Sequence, residues 1–344
     1  MAERVVFFSA GGWGNGSART RLYYYIEALA AAGVNYHIAS YTYHRYGGAR
    51  SPSKLWLELL PLWNVLAALR ADVLWFQKFA LPGWAIRVAK LLGKRVVYDL
   101  DDALYLPHPT ESANAARDRR KLMRILRCAD QVVVSGAEIA EFVRSVNHSV
   151  EIIPTVVERI ASSPSSPLTP PVIGWVGAPE NLRYLMRLEG AIQSLQSERP
   201  ELEVWIITSR PADPPPRFRY RFIPWSREAE TEFVPQFTVG VAPLDDDPWC
   251  RAKMNYKALV YMSHGVPAIA SPIGFPVEDF RHGESIWYAR GEDEWMEAMR
   301  EALDDRGKRD AISREALRVL AGKYSAAAQA ERWLTALLGR RVTH

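Results

Sequence analysis

Residues Phe237–Phe275 read FTVGVAPLDDDPWCRAKMNYKALVYMSHGVPAIASPIGF, and the fold turns on them. Val239–Ala242 is a short apolar run closed by Pro243, the pattern of a strand buried on both faces. The acidic run Asp245-Asp246-Asp247-Pro248 breaks it. The spacing that follows predicts a helix from about Ala252 to Ser263, with Gly265 placed to end it. Val266–Ser271 reads as a second buried strand, and Pro272-Ile273-Gly274 as the turn after it. Two apolar, non-alternating strands joined through a helix are one winding of a parallel α/β sheet.

In the predicted helix Lys253 and Lys257 stand four positions apart and would share a face with Val260 and His264. Like charges at that spacing repel by roughly a few tenths of a kcal/mol. Cations in a first turn also oppose the helix dipole. A cationic helix start just past a buried strand suits an anion such as a phosphate. A solvated face balanced through space by Asp245–Asp247 is the plain alternative.

The same winding recurs towards the N-terminus. Val5–Phe8 is a strand candidate that runs into Gly11-Gly12-Trp13-Gly14-Asn15-Gly16-Ser17, and a helix is expected over Arg19–Ala32. Strand, glycine loop and helix in that order open many nucleotide-binding folds. These glycines do not follow GxGxxG, and a tight turn alone would account for them. Arg19 and Arg21 open the helix, where a cation again wants an anion nearby. Tyr36–Tyr41, Val73–Lys78, Arg95–Tyr98, Gln131–Ser135 and Val150–Pro154 are further strands, alternating with helices. The fourth strand ends in Asp99-Leu100-Asp101-Asp102, at the edge where open parallel sheets bind ligands. These carboxylates could hold a divalent metal, bind sugar hydroxyls or take a proton, or cap a helix.

Ala161–Pro171 is rich in serine and proline and reads as a linker. Beyond it the strand pattern restarts with Val172–Val176, the loop Gly177–Asn181, Leu202–Thr208 and Arg221–Ile223. The expected domains are therefore residues 1–160, a linker at 161–171, and residues 172–320. A C-terminal helical segment, 321–344, could reach back over the first domain. The predicted fold class is α/β: two Rossmann-like, doubly wound parallel-sheet domains facing a central cleft.

The 344 residues, 48% apolar, suffice for two cores. Two cysteines, Cys128 and Cys250, are too few for a disulfide framework or a zinc site, which fits a reducing, cytoplasmic setting. The first residues lack the features of a signal peptide, and no run reaches the length of a membrane span. The basic, aromatic loop from Tyr43 and the apolar helix with Trp56 and Trp63 make 43–63 a candidate for peripheral membrane contact, or else a helix packed on the sheet. A net charge of +4 hints at an anionic ligand, while no basic stripe or motif points to nucleic acid.

The order of SARTRLYYYIEALAAAG, VVYDLDDALY, ADQVVVSGAEIAEFV, IGWVGAPENLRYL and VAPLDDDPWCRAKMNYKALVYMSHGVPAIASPIG resembles the GT-B glycosyltransferases of the large family-four group, over nearly the whole chain. The resemblance implies transfer of a sugar from a nucleotide-diphosphate sugar, with retention and with neither cofactor nor catalytic metal, as in polysaccharide biosynthesis. It places Gly177, Ala178, Asn181, Ile223, Pro224, Trp225, Lys253, Tyr256 and Lys257 around the donor. Asp101 and Asp102, with Lys253 and Lys257, would carry catalysis. Gly12, Trp13, Gly14, Arg19, Arg21, Gln77 and Asp99 would shape the acceptor side. The acceptor and the oligomeric state are left open. The chain departs from the family in two respects: Ala252 and Val260 stand where two glutamates are usual, and Val260 cannot bind ribose hydroxyls; and Glu180, Asn181 and Arg183 follow the Gly177 loop where many members carry Arg and Lys. A non-catalytic sugar-nucleotide binder and a GT-B epimerase are the competing readings.

Overall fold

The computed structural model describes residues 3–40, 62–78, 83–106, 115–274 and 277–341. Two compact units emerge. One comprises residues 1–158 with Ala252–Met254 and 326–344; the other comprises Arg159–Arg251 and Asn255–Ser325.

The first unit is built on six strands: β1 (Arg4–Ser9), β2 (Asn35–Ser40), β3 (Val73–Gln77), β4 (Arg95–Leu100), β5 (Gln131–Val134) and β6 (Val150–Ile152). They pair in parallel in the order β2-β1-β3-β4-β5-β6. Strand order therefore reverses between β1 and β3, which makes their C-terminal ends the switch point of the sheet. Val5, Phe7, Trp75 and Val97 form one buried face with Leu22, Tyr25 and Leu29. The helix Ala326–Leu338, from the far end of the chain, completes this core. Its Trp333 stacks on Tyr25 at 4.7 Å and on Phe7 at 5.9 Å. Such pairs add about 0.5–1.5 kcal/mol each beyond the area they bury.

The second unit has β7 (Val172–Val176), β8 (Glu203–Thr208), β9 (Arg221–Pro224), β10 (Val239–Ala242), β11 (Ala268–Ala270) and β12 (Trp287–Tyr288). These are also all parallel, in the order β12-β11-β10-β7-β8-β9. The switch point lies between β7 and β10. The expected doubly wound α/β class is what the chain forms. The two-residue β12 is too short to leave a signal in the sequence.

Three expectations need correction. Ala161–Pro171 is not a free linker. Ala161 donates its N–H to Ser263 O at 2.8 Å, Ser165 to Gly265 O at 2.9 Å and Leu168 to Gln236 O at 3.3 Å, so the segment is laced into the second unit. The helix expected over Ala252–Ser263 starts only at Tyr256 and runs to Ser263; Lys253 lies outside it, between it and the short helix Pro248–Arg251. The helix expected over Arg19–Ala32 is also broken, into Gly16–Arg21 and Ile26–Ala31, with a tight turn at Tyr23–Tyr25. Most of 43–63 lies outside the described residues; only its last two positions fall in the helix Leu62–Arg70. Among the described residues no helix is long and apolar enough to cross a membrane.

Candidate functional site

In the second unit the site grows from two glycines. Gly174 of β7 and Gly240 of β10 are register partners. A Cβ on Gly174 would fall 1.9 Å from the Phe237 ring, and one on Gly240 would fall 2.2 Å from the Tyr261 ring. The two bare backbones let Phe237 and Tyr261 sink against the sheet, with their rings 6.1 Å apart edge to face. The helix Tyr256–Ser263 is thereby drawn close to the switch point. The Tyr261 hydroxyl is fully buried; it accepts from Val176 N at 3.0 Å and donates to Val241 O at 3.2 Å, tying β7 to β10 where they part. Burial pushes this phenol well above the ordinary tyrosine range, so it stays neutral.

Asn255 fixes where the helix begins. Its side-chain amide donates to Ala242 O at 2.9 Å and its N–H to Gly274 O at 2.7 Å. Its side chain is thus spent on β10 and does not cap the helix, whose first turn carries no acid. Such an uncapped helix start favours an anion. Lys257, in that first turn, lays its stem over the turn after β7. A Cβ on Gly177 would lie 2.6 Å from Lys257 Cε and 2.8 Å from the Trp175 ring. The Lys257 ammonium stands 5.5 Å from the centre of that ring, within cation–π range. Gly177 and Lys257 therefore meet at the switch point; Ala178 and Asn181 follow Gly177 in the chain, and Tyr256 precedes Lys257 at the helix start. Ile223, Pro224 and Trp225 stand at the end of β9, two strands away from β7 in the sheet. Ile223 is buried, Pro224 exposed, and Trp225 is held by bonds to Thr208 O at 2.9 Å and Glu230 at 3.1 Å.

Lys253 does not share a helical face with Lys257, because the backbone leaves the helix at Asn255 (φ −75°, ψ 68°), and residues 252–254 group with the first unit. The aspartates nearby have partners of their own. Asp245 pairs with Arg187, Asp246 with Arg251 at 2.5 Å, and Asp247 caps the next helical turn through Cys250 N at 2.8 Å.

In the first unit the glycine loop follows β1. Asn15 caps the helix Gly16–Arg21 by accepting from Ala18 N at 3.0 Å. Gly12, Trp13 and Gly14 are exposed, with Trp13 edge-on to Tyr23 at 5.4 Å. Arg19 is turned inward and donates to the carbonyls of Trp13 and Gly14, at 3.2 and 3.1 Å, so it braces the loop. Gln77 is buried and accepts from Ala10 N at 3.2 Å.

Arg21 and Asp99 correct the acceptor-side reading. Both side chains are 0% exposed and paired at 2.9 Å, with Arg21 also donating to Ile153 O at 2.5 Å. Asp99 lies within β4 and is turned into the unit, where neither group can meet a ligand. Burial pushes the Asp99 carboxyl up to about 6, against the pull of Arg21.

Asp101 and Asp102 do stand at the end of β4, and they share a cation that sequence reasoning missed. Lys78, just past β3, hydrogen-bonds Ser17 Oγ at 2.7 Å, pairs with Asp102 and lies 3.3 Å from Asp101. Burial works against its charge, but the two carboxylates prevail and hold the ammonium above the ordinary lysine range. Lys78 takes φ +55°, an uncommon conformation for a side chain of this kind. Such outliers collect at functional sites. Asp101 is further fixed by Ser135, whose hydroxyl donates to its backbone carbonyl at 3.0 Å.

Among the described residues no group of three or more His, Cys, Asp or Glu side chains is placed to hold a metal. A cavity of about 380 Å³ lies elsewhere in the second unit; of its lining residues Asp279 pairs with Lys323 and Glu315 with Arg318.

No protein-family model matches the chain, and no curated protein does. Solved structures do. The sucrose-phosphate synthase of Thermosynechococcus elongatus aligns at 15% identity over 96% of this chain and 97% of its own, with a TM-score of 0.68. HepE of Anabaena, solved with UDP and glucose, aligns at 12% identity over 99% of this chain and 100% of its own, with a TM-score of 0.69. A glycosyltransferase of Rickettsia africae aligns at 10% identity over 98% and 99%, with a TM-score of 0.65. Likeness at such identities establishes the fold, which is GT-B: two Rossmann-like units in one chain.

Proposed function

We propose that the chain is a glycosyltransferase that takes a sugar from a nucleotide-diphosphate donor held by the second unit. The observation that carries this reading is Lys257, laid over Gly177 at the β7–β10 switch point with an uncapped helix start beside it. In the transfer the bond from the anomeric carbon to the β-phosphate oxygen breaks, and a bond to an acceptor hydroxyl forms. The hydroxyl proton passes to the departing phosphate on the same face, so the configuration is retained and no protein nucleophile is needed. Lys257 offsets the charge that grows on the leaving diphosphate, a term that is commonly the largest in such catalysis. With an ammonium in that role, the reading includes no metal and no cofactor. Gly177, Ala178 and Asn181 approach the phosphates, and Pro224 and Trp225 border the base. Uridine donors come first in the trial, because the neighbour HepE was solved with UDP-glucose. Asp101 and Asp102, oriented by Lys78, serve the acceptor, a glycan, lipid-linked glycan or small molecule.

The deciding experiment measures donor binding by calorimetry and donor turnover over a panel of nucleotide sugars, with an excess of chelator throughout. Lys257→Ala is expected to lower turnover by about 10²-fold or more. Undiminished turnover in that variant, or activity abolished by the chelator and restored by a divalent ion, overturns the corresponding part. Val260 supports a second reading. It is buried and apolar, with no group to bond a ribose hydroxyl. Donor binding without turnover on any acceptor would favour a non-catalytic sugar-nucleotide binder.

A further inference from the structure

The first unit carries an apolar face turned outward. On the helix Gly83–Leu91 the inward positions are Ile86 and Ala89, which are buried. Trp84 and Val88, one turn apart, and Leu91, a further turn on, are exposed, Trp84 to 68% and Leu91 to 86%. Leu92 and Leu69 extend the patch. Lys94 ties the ends of the two helices together by donating to Leu69 O at 2.8 Å and Ala71 O at 2.6 Å. Five large apolar side chains left in water on neighbouring helix ends are a surface awaiting a partner.

Charge selects the partner. Arg87 is exposed on the same helix, and Arg70 is exposed beside Leu69. The helix Ala115–Cys128 packs against Gly83–Leu91 and exposes Arg119, Arg120, Arg124 and Arg127. Among the described residues, two carboxylates of this region are already engaged, Asp72 by Arg4 and Asp130 by Lys90. A second copy docked face to face would set these arginines against their own images, since a two-fold contact repeats the same patch on both sides. Nucleic acid would satisfy the arginines but leave Trp84 and the leucines unmatched. An anionic bilayer satisfies both: aromatic and aliphatic groups enter the headgroup boundary while arginines meet lipid phosphates.

We propose that the helix Gly83–Leu91, flanked by the arginines of Ala115–Cys128, docks this protein on a membrane surface bearing anionic lipids. The face is distinct from residues 43–63, and the proposal does not depend on the donor-site reading.

The test is co-sedimentation of the full chain with vesicles of phosphatidylcholine alone and of equal parts phosphatidylcholine and phosphatidylglycerol. Binding is expected to the anionic vesicles only, and to weaken as salt screens the arginines. Trp84→Ser with Leu91→Ser should lower partitioning about tenfold or more. Arg119→Glu and Arg120→Glu should each cost about fivefold or more. All of these are surface positions, and an unchanged melting temperature confirms that the variants fold. Wild-type protein that ignores anionic vesicles, or variants that bind like wild type, overturn the proposal. So does a concentration-dependent dimer in analytical ultracentrifugation that Trp84→Ser with Leu91→Ser abolishes, which would make the face a contact between copies.

Discussion

Lys257 Cε occupies the space that a side chain on Gly177 would need, with only 2.6 Å between it and an added Cβ. The strand end and the helix start are therefore matched to each other through one missing methyl group. Gly177→Ala should push the lysine stem off Trp175 and displace its ammonium. Donor affinity is expected to fall about tenfold, a loss typical of a misplaced charged group. The urea midpoint should fall as well, because the same Cβ would lie 2.8 Å from the buried Trp175 ring, which has little room to yield. Calorimetry with UDP-sugars and a denaturation curve on the same variant check both halves.

Tyr261→Phe removes one hydroxyl that serves two backbone groups, Val176 N–H and Val241 C=O. Both become orphans in a dry interior, so the variant should lose about 1–3 kcal/mol of stability. Urea denaturation followed by tryptophan fluorescence measures this. A loss below a few tenths would mean that water reaches the strand ends.

Asp99→Asn removes the carboxylate charge that pairs directly with the Arg21 guanidinium, where both side chains are 0% exposed. Breaking a buried pair in this way costs about 3–5 kcal/mol. Donor binding per folded molecule should be unchanged. An Asp99→Asn protein of normal stability that has lost only transfer would return Asp99 to the acceptor site.

Asp102→Asn keeps the shape of the group that Lys78 engages but removes its charge and its ability to take a proton. If the carboxylate acts on the acceptor, transfer falls about 100-fold or more while the donor dissociation constant holds. A parallel loss of donor affinity would contradict the division of roles between the two units.

Much of the fold could be read from the chain because parallel strands are buried on both faces, so Val5–Phe8, Val132–Val134 and Val239–Ala242 appear as unbroken apolar runs. Within the candidate site, only the nearness of Gly177 after β7 to Lys257 after β10 was legible, because it follows from local order. The break at Asn255 was not, because its cause is a bond to Ala242 O and another to Gly274 O, neither of which leaves a trace in helical spacing. The partner of Asp99 is 78 residues away, so a carboxylate that closes a buried ion pair looked like one facing a ligand. Lys78 hid as the last residue of an apolar strand, its meaning supplied by Asp101 and Asp102 on the next one.

The core around Phe7 and Tyr25 is sealed by Trp333, from the last helix of the chain. During synthesis the amino-terminal sheet must therefore wait, its aromatic face bare, while the whole second unit is made. The roof comes only after Ser325, the end of the second unit, has been made. A chain cut after Ser325 would deliver a finished second unit tethered to an unroofed first one.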